Sequence, residues 1–123
     1  EGGYPRMKRL GDGSLLVAYE NRKGDVLIKK SIDGGVTWSN PVIAFTGFDV
    51  IDNENGRSAK VNIANPEIIQ LPNNDILIAC NFRPNKDEVY PFSIAIKRSR
   101  DNGKTWGEEQ IVYRAAPRFI DGC

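Results

Sequence analysis

One motif occurs twice in this chain of 123 residues, and it constrains the fold more than any other feature. Residues 31–38 read Ser-Ile-Asp-Gly-Gly-Val-Thr-Trp, and residues 99–106 read Ser-Arg-Asp-Asn-Gly-Lys-Thr-Trp. Both copies fit the pattern Ser-x-Asp-x-Gly-x-Thr-Trp, and they stand 68 residues apart. A motif repeated at this distance indicates a repeated structural unit. We call the two copies the first box and the second box.

Each box has the composition of a turn between two strands. Asp and Ser side chains bond to nearby backbone in turns, Gly supplies backbone freedom, and Trp provides an apolar anchor. A strand-like run precedes each box and another follows it, at residues 26–30 and 41–45 for the first box and 94–98 and 110–114 for the second. Each box therefore predicts the turn of a β-hairpin.

The segments around the boxes repeat as well. Residues 5–10 match residues 66–71, and in both copies a turn and a second strand-like run follow. The offset is 61 residues in this part and 68 at the boxes, so the second unit has seven extra residues, in the polar stretch from Pro84 to Tyr90. Each unit predicts four antiparallel strands, with the box between the third and the fourth.

Four-stranded antiparallel sheets in series are the blades of a β-propeller. We therefore predict an all-β fold with blade 1 at residues 5–46, blade 2 at 65–115, and residues 116–123 leading to a third blade. A β-sandwich built by duplication is the alternative. Because a propeller closes with about 4 to 8 blades, we expect the chain to be the N-terminal part of a six-bladed ring. The alternative is that several two-blade chains assemble into one ring.

Composition narrows the classes of function. The 17 Lys and Arg residues nearly balance the 16 Asp and Glu residues, so the charge gives no reason to expect nucleic acid or a membrane as partner. The absence of His excludes Ser-His-Asp and Cys-His catalytic groups and His-ligated metal sites from these residues. Cys80 lies in an apolar run and is predicted to be a small core residue, whereas the role of Cys123 cannot be read.

The predicted topology places a set of charged residues on the sheet edge opposite the boxes. In a four-stranded meander, this edge carries the start of the first strand and the turn between the second and third strands. We call it the mouth. It collects Arg6 and Glu67 at the starts of the first strands and Arg22 and Arg83 after the second strands. The adjacent loops and the long connection from Gly47 to Ala64 add Lys23, Asp25, Asp87, Glu88, Tyr90, Asp49, Asp52, Glu54, Arg57 and Asn62.

Each candidate also has a purely structural interpretation. Arg22 and Arg83 suit solvated loop charges, and Asp25 suits a turn cap beside Gly24. Glu67 stands between apolar neighbours, so we expect it either to pair with an Arg across the mouth or to touch a substrate. For the box residues on the opposite edge we predict a structural role instead of a catalytic carboxylate pair: Ser31, Asp33, Gly35, Thr37, Trp38, Ser99, Asp101, Gly103, Thr105 and Trp106.

The boxes resemble the Asp-box, or bacterial neuraminidase repeat, of sialidases and related glycosidases, and the resemblance covers nearly the whole chain. In sialidases an Arg near the start of the first blade binds the substrate carboxylate. A second Arg and then an acid catalyst follow in the next loop of that blade. By position, Arg6, Arg22 and Asp25 match these residues. The two blade starts, Tyr4-Pro5-Arg6-Met7 and Asn65-Pro66-Glu67, also resemble the exo-α-1,5-L-arabinanases, whose two catalytic glutamates would fall after residue 123.

This resemblance implies a glycoside hydrolase that acts on a terminal sugar, either a sialoside or an arabinofuranoside. Asp25 would be catalytic, and Arg6, Arg22, Glu67 and Arg83 would bind the substrate. No metal or organic cofactor is expected, and the partners would be a carbohydrate and the blades that complete the ring. We expect a secreted or periplasmic location and no activity for these two blades alone. The alternatives are a non-catalytic propeller that binds a glycan or a protein, and a purely structural propeller.

Overall fold

The computed structural model describes residues 5–116. The expectations for Tyr4, for most of the segment 116–123 and for Cys123 lie outside these residues. Within them the chain forms nine strands: β1 (Arg6–Arg9), β2 (Leu15–Glu20), β3 (Val26–Ser31), β4 (Val42–Phe45), β5 (Phe48–Asp52), β6 (Arg57–Gln70), β7 (Ile76–Pro84), β8 (Ser93–Ser99) and β9 (Gln110–Arg114).

The strands form two antiparallel meanders. The first sheet has the order β1-β2-β3-β4 and the second the order β5-β6-β7-β8-β9. The first box joins β3 to β4 and the second box joins β8 to β9, as the turn chemistry of the boxes predicts. The all-β prediction is confirmed, and no helix within residues 5–116 has the length and apolar character needed to cross a membrane.

The second sheet differs from the sequence prediction in its first part. The connection predicted between Gly47 and Ala64 contains β5 and the first half of β6, so this sheet has five strands instead of four. The apolar alternation of Ala59, Val61 and Ile63 is short and is flanked by polar residues, which concealed it. A bulge between Ala64 and Glu67 separates this half of β6 from the half that begins the repeat. The blade limits predicted within this sheet stay a prediction.

The core lies between the two sheets. From the first sheet it takes alternate residues of β2 and β3, namely Leu16, Ala18, Val26 and Ile28, and we call this side the front face of the sheet. The second sheet contributes its back face, with Ile68, Ile76, Ile78 and Cys80. All eight are at most 8% exposed, and burying one Val, Leu or Ile side chain of this set stabilises the fold by about 1.5–3 kcal/mol.

Aromatic rings extend this core towards the mouth. The Phe82 ring packs edge-on against Phe45 and Phe48, with centroids 6.0 and 5.7 Å away. Phe48 in turn packs against Tyr90, at 5.4 Å. The Nζ atom of Lys97 lies 5.0 Å from the centre of the Phe45 ring. Residues from both sheets therefore interlock at this end of the interface.

Polar contacts close the opposite edge of the interface, where the boxes lie. Asn102 of the second box donates from Nδ2 to Oδ2 of Asp12, at 2.8 Å. Its carbonyl oxygen accepts a hydrogen bond from Nζ of Lys30, at 2.9 Å. The backbone N–H of Gly11 donates to Oε1 of Gln70, at 2.7 Å. The second box therefore helps to hold the second sheet against the first.

Candidate functional site at the mouth

An ion pair between the two sheets forms the centre of the mouth. Arg6 is the first residue of β1, and Glu67 follows the bulge of β6 at the equivalent place in the second unit. Nε of Arg6 donates to Oε2 of Glu67 at 2.9 Å. Glu67 therefore pairs with an Arg across the mouth, which is the first of the two expectations for it, and its contact with a substrate stays a prediction.

The ion pair is open to solvent. The side chains of Arg6 and Glu67 are 54% and 60% exposed. Exposed ion pairs contribute about 0–1 kcal/mol to stability, so a ligand can rearrange this pair at little cost. The guanidinium group has five N–H donors in a planar fork, and the bond to Glu67 uses the Nε side of it. The two Nη atoms are therefore the groups by which Arg6 would bind a ligand.

Asp25 occupies a different environment, because its carboxylate is bonded within the fold. The residue is 9% exposed. Its Oδ1 accepts a hydrogen bond from the backbone N–H of Gly47 at 2.8 Å, and its Oδ2 accepts one from Nδ2 of Asn21 at 3.2 Å. Asp25 thereby ties the β2–β3 turn to the start of the segment that leads into the second sheet.

The β2–β3 turn that carries Arg22 and Lys23 is organised by the Asn21 side chain. Oδ1 of Asn21 accepts hydrogen bonds from the backbone N–H groups of Lys23 and Asp25, both at 2.9 Å. The turn presents Arg22 and Lys23 to solvent. On its other side the carbonyl of Gly24 accepts from the backbone N–H of Ile63, at 2.8 Å, which fixes the turn against β6.

Arg83 lies at the mouth end of β7, beside an open pocket of about 650 Å³. The pocket lies on the side of the second sheet that faces away from the first, because Arg83 alternates with the buried Phe82. Its walls combine one cation and one carboxylate with apolar surface: Arg83, Asp87, Pro84, Pro91, Phe92, Ala115 and Ala116. Arg83 thus lies on the same edge as the Arg6–Glu67 pair, but neither Arg6 nor Glu67 lines this pocket.

The remaining candidates lie around this centre. Asp52 and Arg57 face each other across the β5–β6 hairpin, and Nη2 of Arg57 lies 3.3 Å from Oδ2 of Asp52. A hydrogen bond from the Asn55 side chain lowers the pKa of Asp52. Tyr90 is half-buried against Phe48, with the Arg114 guanidinium 5.4 Å from its ring. The others are half-buried or exposed at the mouth or on the hairpin beyond it: Asp87, Glu88, Asp49, Glu54 and Asn62.

Both boxes direct their carboxylates into their own turns. Asp33 accepts hydrogen bonds from the hydroxyls of Ser31 and Thr37 and from the Thr37 N–H. In the second box Asp101 accepts the same three bonds from Ser99 and Thr105. These bonds, led by the one from the Thr hydroxyl, lower the pKa of each Asp to about 2. Both carboxylates therefore stay ionised at neutral pH.

The sequence did not point to a further link between the sheets near the mouth, made by Glu20. Oε2 of Glu20 accepts a hydrogen bond from the backbone N–H of Asn65, at 2.9 Å. Asn65 has a φ of 53°, a left-handed conformation that Asn tolerates better than most residues. The sequence carried one signal of this backbone conformation. It is the Asn65-Pro66 dipeptide inside an apolar run, which is typical of a break in a strand.

The mouth can bind an anion or a sugar hydroxyl through the Arg6 fork, with Glu67 as an acceptor beside it. Within residues 5–116 there is no group of three or more Cys, Asp or Glu side chains placed to hold a metal ion. The chemistry that this part of the chain offers is hydrogen bonding and charge complementarity.

No protein-family model matches the chain. A sialidase from Micromonospora viridifaciens is 41% identical over 59 residues, which make up 47% of this chain and 9% of the sialidase. The structure of an α-L-arabinanase from Penicillium chrysogenum, complexed with arabinobiose, matches this chain with a TM-score of 0.58 and 26% identity. That match covers 92% of this chain and 31% of the arabinanase.

The chain therefore spans less than a third of the length of either relative. The two likenesses confirm the resemblance to the sialidase-like glycosidases. The likeness to the arabinanase also confirms that the two sheets have a β-propeller type of fold.

Proposed function

We propose that this chain is part of a glycoside hydrolase of the sialidase-like fold that removes a terminal sugar from a glycan. The observation that carries the proposal is the solvent-exposed Arg6–Glu67 pair, which joins the start of β1 to the part of β6 that follows its bulge. The similarity to a sialidase and to an arabinanase, both of which act on carbohydrate, supports it.

Arg6 would bind the sugar through its two Nη atoms. Glu67 accepts from Nε, and this bond orients the plane of the guanidinium group. A guanidinium fork forms two parallel hydrogen bonds with a carboxylate, which suits a sialoside. The same donors, with Oε1 of Glu67 as an acceptor, suit the hydroxyls of an arabinofuranoside. These are the two substrate classes that we propose.

A sialoside and an arabinofuranoside substrate imply different catalytic carboxyl groups. Hydrolysis of a glycosidic bond uses a pair of carboxyl groups, or a carboxylic acid with another nucleophile, on the two sides of the bond. Asp25 matches the sialidase acid by position, yet both of its oxygens already accept hydrogen bonds from the fold. We therefore propose that this chain contributes substrate binding, with Arg22 and Arg83 on the same edge as Arg6. The blades that complete the ring would contribute most of the catalytic groups. We also propose that the protein is secreted or periplasmic.

The bonded state of Asp25 also favours a second candidate, a non-catalytic propeller that binds a glycan or a protein. In that case the mouth keeps the Arg6–Glu67 pair but has no acid that can give a proton to a leaving group.

Hydrolysis by the full-length protein decides between the two. We would assay an aryl sialoside and α-1,5-arabinobiose with the wild type and with Arg6→Ala, and use Arg9→Ala as the control. Arg9 is an exposed Arg at the other end of β1, on the edge of the boxes. A lost charged hydrogen bond costs about 1.5–3 kcal/mol, so we expect Arg6→Ala to lower kcat/KM by about 10- to 100-fold on one substrate. Arg9→Ala should have no such effect.

Two results would count against this proposal. Hydrolysis of neither sugar, together with binding of a glycan, would favour the non-catalytic propeller. Hydrolysis that Arg6→Ala leaves unchanged would remove Arg6 from the substrate site.

A further inference from the structure

The dipeptide Asn-Gly occurs twice in the chain, and the two copies differ in their hydrogen bonds. Asn55-Gly56 lies in the turn between β5 and β6, and Asn102-Gly103 lies in the second box. In this dipeptide the Asn side chain loses ammonia more easily than before other residues, because Gly has no side chain to hinder attack by its backbone nitrogen on the Asn amide carbon. The hydrogen bonds around each copy therefore decide whether the reaction can occur in the folded protein.

In the second box both reacting groups are held by other bonds. The backbone N–H of Gly103, which would attack, is buried and donates to Oγ of Ser99 at 2.8 Å. The side chain of Asn102, which would be attacked, donates from Nδ2 to Oδ2 of Asp12, also at 2.8 Å. The carbonyl oxygen of Asn102 accepts from Nζ of Lys30 at 2.9 Å. Deamidation at this site would have to break several of these bonds.

The turn between β5 and β6 leaves the attacking nitrogen unbonded. Asn55 and Gly56 are both exposed, and within residues 5–116 the Gly56 N–H donates to no acceptor. A Cβ on Gly56 would meet no atom within 4 Å beyond its chain neighbours, so the space around this nitrogen is open. The Asn55 side chain has one bond, from Nδ2 to Oδ2 of Asp52 at 2.8 Å. Nη2 of Arg57 donates to the same oxygen at 3.3 Å and can keep it paired when Asn55 rotates away.

We propose that Asn55 is a site of spontaneous deamidation, and that the fold protects Asn102 from the same reaction. The backbone nitrogen of Gly56 attacks Cγ of Asn55, a C–N bond forms, and this nitrogen loses its proton. The bond between Cγ and Nδ2 breaks, and Nδ2 takes up that proton and leaves as ammonia. Water then opens the resulting succinimide ring at either of its carbonyl groups, so the product is Asp or isoaspartate.

The product carries a carboxylate where Asn55 had an amide. Asp52 loses the donor that lowers its pKa, and both carboxylates then compete for the Arg57 guanidinium. The isoaspartate product also adds a methylene group to the backbone of the turn. The contrast between the two sites arises from bonds within and next to each turn. It therefore depends neither on what lies against the outer faces of the two sheets nor on the proposed hydrolase activity.

The test is the rate of deamidation in the folded full-length protein, kept at mildly alkaline pH, which favours attack by the backbone nitrogen. Digestion at acidic pH avoids further reaction, and peptide masses then report the replacement of NH₂ by OH at each Asn. Because several bonds must break at Asn102, we expect it to react at least about 10-fold more slowly than Asn55. Asn53 is exposed in the same turn but precedes Glu54, so it is an internal control that should stay unmodified.

Protein denatured in urea is the matched control for the effect of the fold. Without the bonds of the second box, Asn55 and Asn102 should react at similar rates. Asn55→Gln should abolish the modification of this turn, because the longer side chain would have to form a larger ring. Asn55→Asp reproduces the charge of the product, and the modified wild type should match it in ion-exchange chromatography.

Two outcomes overturn the proposal. Asn55 that stays intact in the folded protein, over a period in which it is modified in the denatured protein, would show that the turn protects it. Equal rates at Asn55 and Asn102 in the folded protein would show that the bonds of the second box give no protection.

Discussion

Glu20 at the end of β2 binds the backbone of Asn65 in the bulge of β6, with 2.9 Å between Oε2 and the amide nitrogen. The bond joins the two sheets at the residue where β6 changes direction. Asn65 stands two residues before Glu67, so the position of the Arg6–Glu67 pair depends on the geometry of this bulge.

Glu20→Ala should destabilise the chain by about 1–3 kcal/mol, because it leaves the Asn65 N–H without its charged acceptor. Glu20→Gln keeps an acceptor oxygen of the same reach and should cost less. Glu54→Ala, at an exposed residue in the β5–β6 hairpin, is the control and should stay within about 0.5 kcal/mol of the wild type. The measurement is the free energy of unfolding in urea. Equal effects of Glu20→Ala and Glu54→Ala would contradict a structural role for this bond.

Gly47→Ala should destabilise the chain by more than about 1–3 kcal/mol, the usual cost of overpacking. A Cβ on Gly47 would lie 2.8 Å from the carbonyl oxygen of Gly24 and 3.1 Å from that of Val61. Both are backbone atoms in hydrogen-bonded segments and cannot move aside as a side chain would. Gly11→Ala is the control, because its Cβ would meet only side-chain atoms, at 3.5 Å or more. Thermal unfolding midpoints that fall equally for the two variants would contradict this account.

The sequence predicted the parts of the fold that depend on local patterns. The boxes predicted the two hairpin turns, and apolar runs such as residues 76–80 predicted the paired strands. Because Arg6 and Glu67 occupy equivalent positions of a repeat, the sequence also placed them on one edge. The structure adds the bond between them, which is the first of the two expectations for Glu67, and contact of Glu67 with a substrate stays a prediction.

The parts that the sequence did not predict depend on contacts between distant segments. β5 pairs with the first half of β6, where polar residues such as Asp49 and Lys60 alternate with buried ones, so the apolar pattern is weak. The Asp25 carboxylate meets the N–H of Gly47, 22 residues later, and the position of this N–H follows from the path of the connection. No local motif contains that information.

Because of the Asp residues in the two boxes, we expect the folded chain to become less stable at acidic pH. The pKa values of Asp33 and Asp101 are about 2 in the fold, below the ordinary value near 3.8, because the Thr hydroxyls and the other donors in each turn favour the ionised form. A carboxyl group whose pKa is lowered by folding stabilises the native state above its unfolded pKa. That contribution is lost as the pH falls from about 4 towards about 2.

Removing one of these hydroxyls should weaken the pH dependence. Thr105→Val keeps the shape of the side chain but removes the donor to Asp101, whereas Thr105→Ser keeps a hydroxyl and is the control. The urea midpoint, measured at intervals from pH 7 to pH 2, should fall less steeply below pH 4 in the Val variant. A Val variant with the acid profile of the wild type would show that the loss at low pH arises elsewhere.

Substitutions of Asp25 distinguish a structural role of this residue in the turn from a role as acid catalyst, because the two roles affect stability and activity differently. Asp25→Ala removes the acceptors of the Gly47 N–H and of Asn21, and should cost about 2–4 kcal/mol of unfolding free energy for two lost bonds. Asp25→Asn keeps the oxygen that accepts from Gly47 and loses only the weaker bond, so it should be clearly more stable than the Ala variant. If Asp25 is a turn residue, the full-length Asn variant keeps most of its hydrolytic activity. A folded Asn variant that loses activity by several orders of magnitude would instead make Asp25 the acid catalyst, because an amide cannot supply the proton.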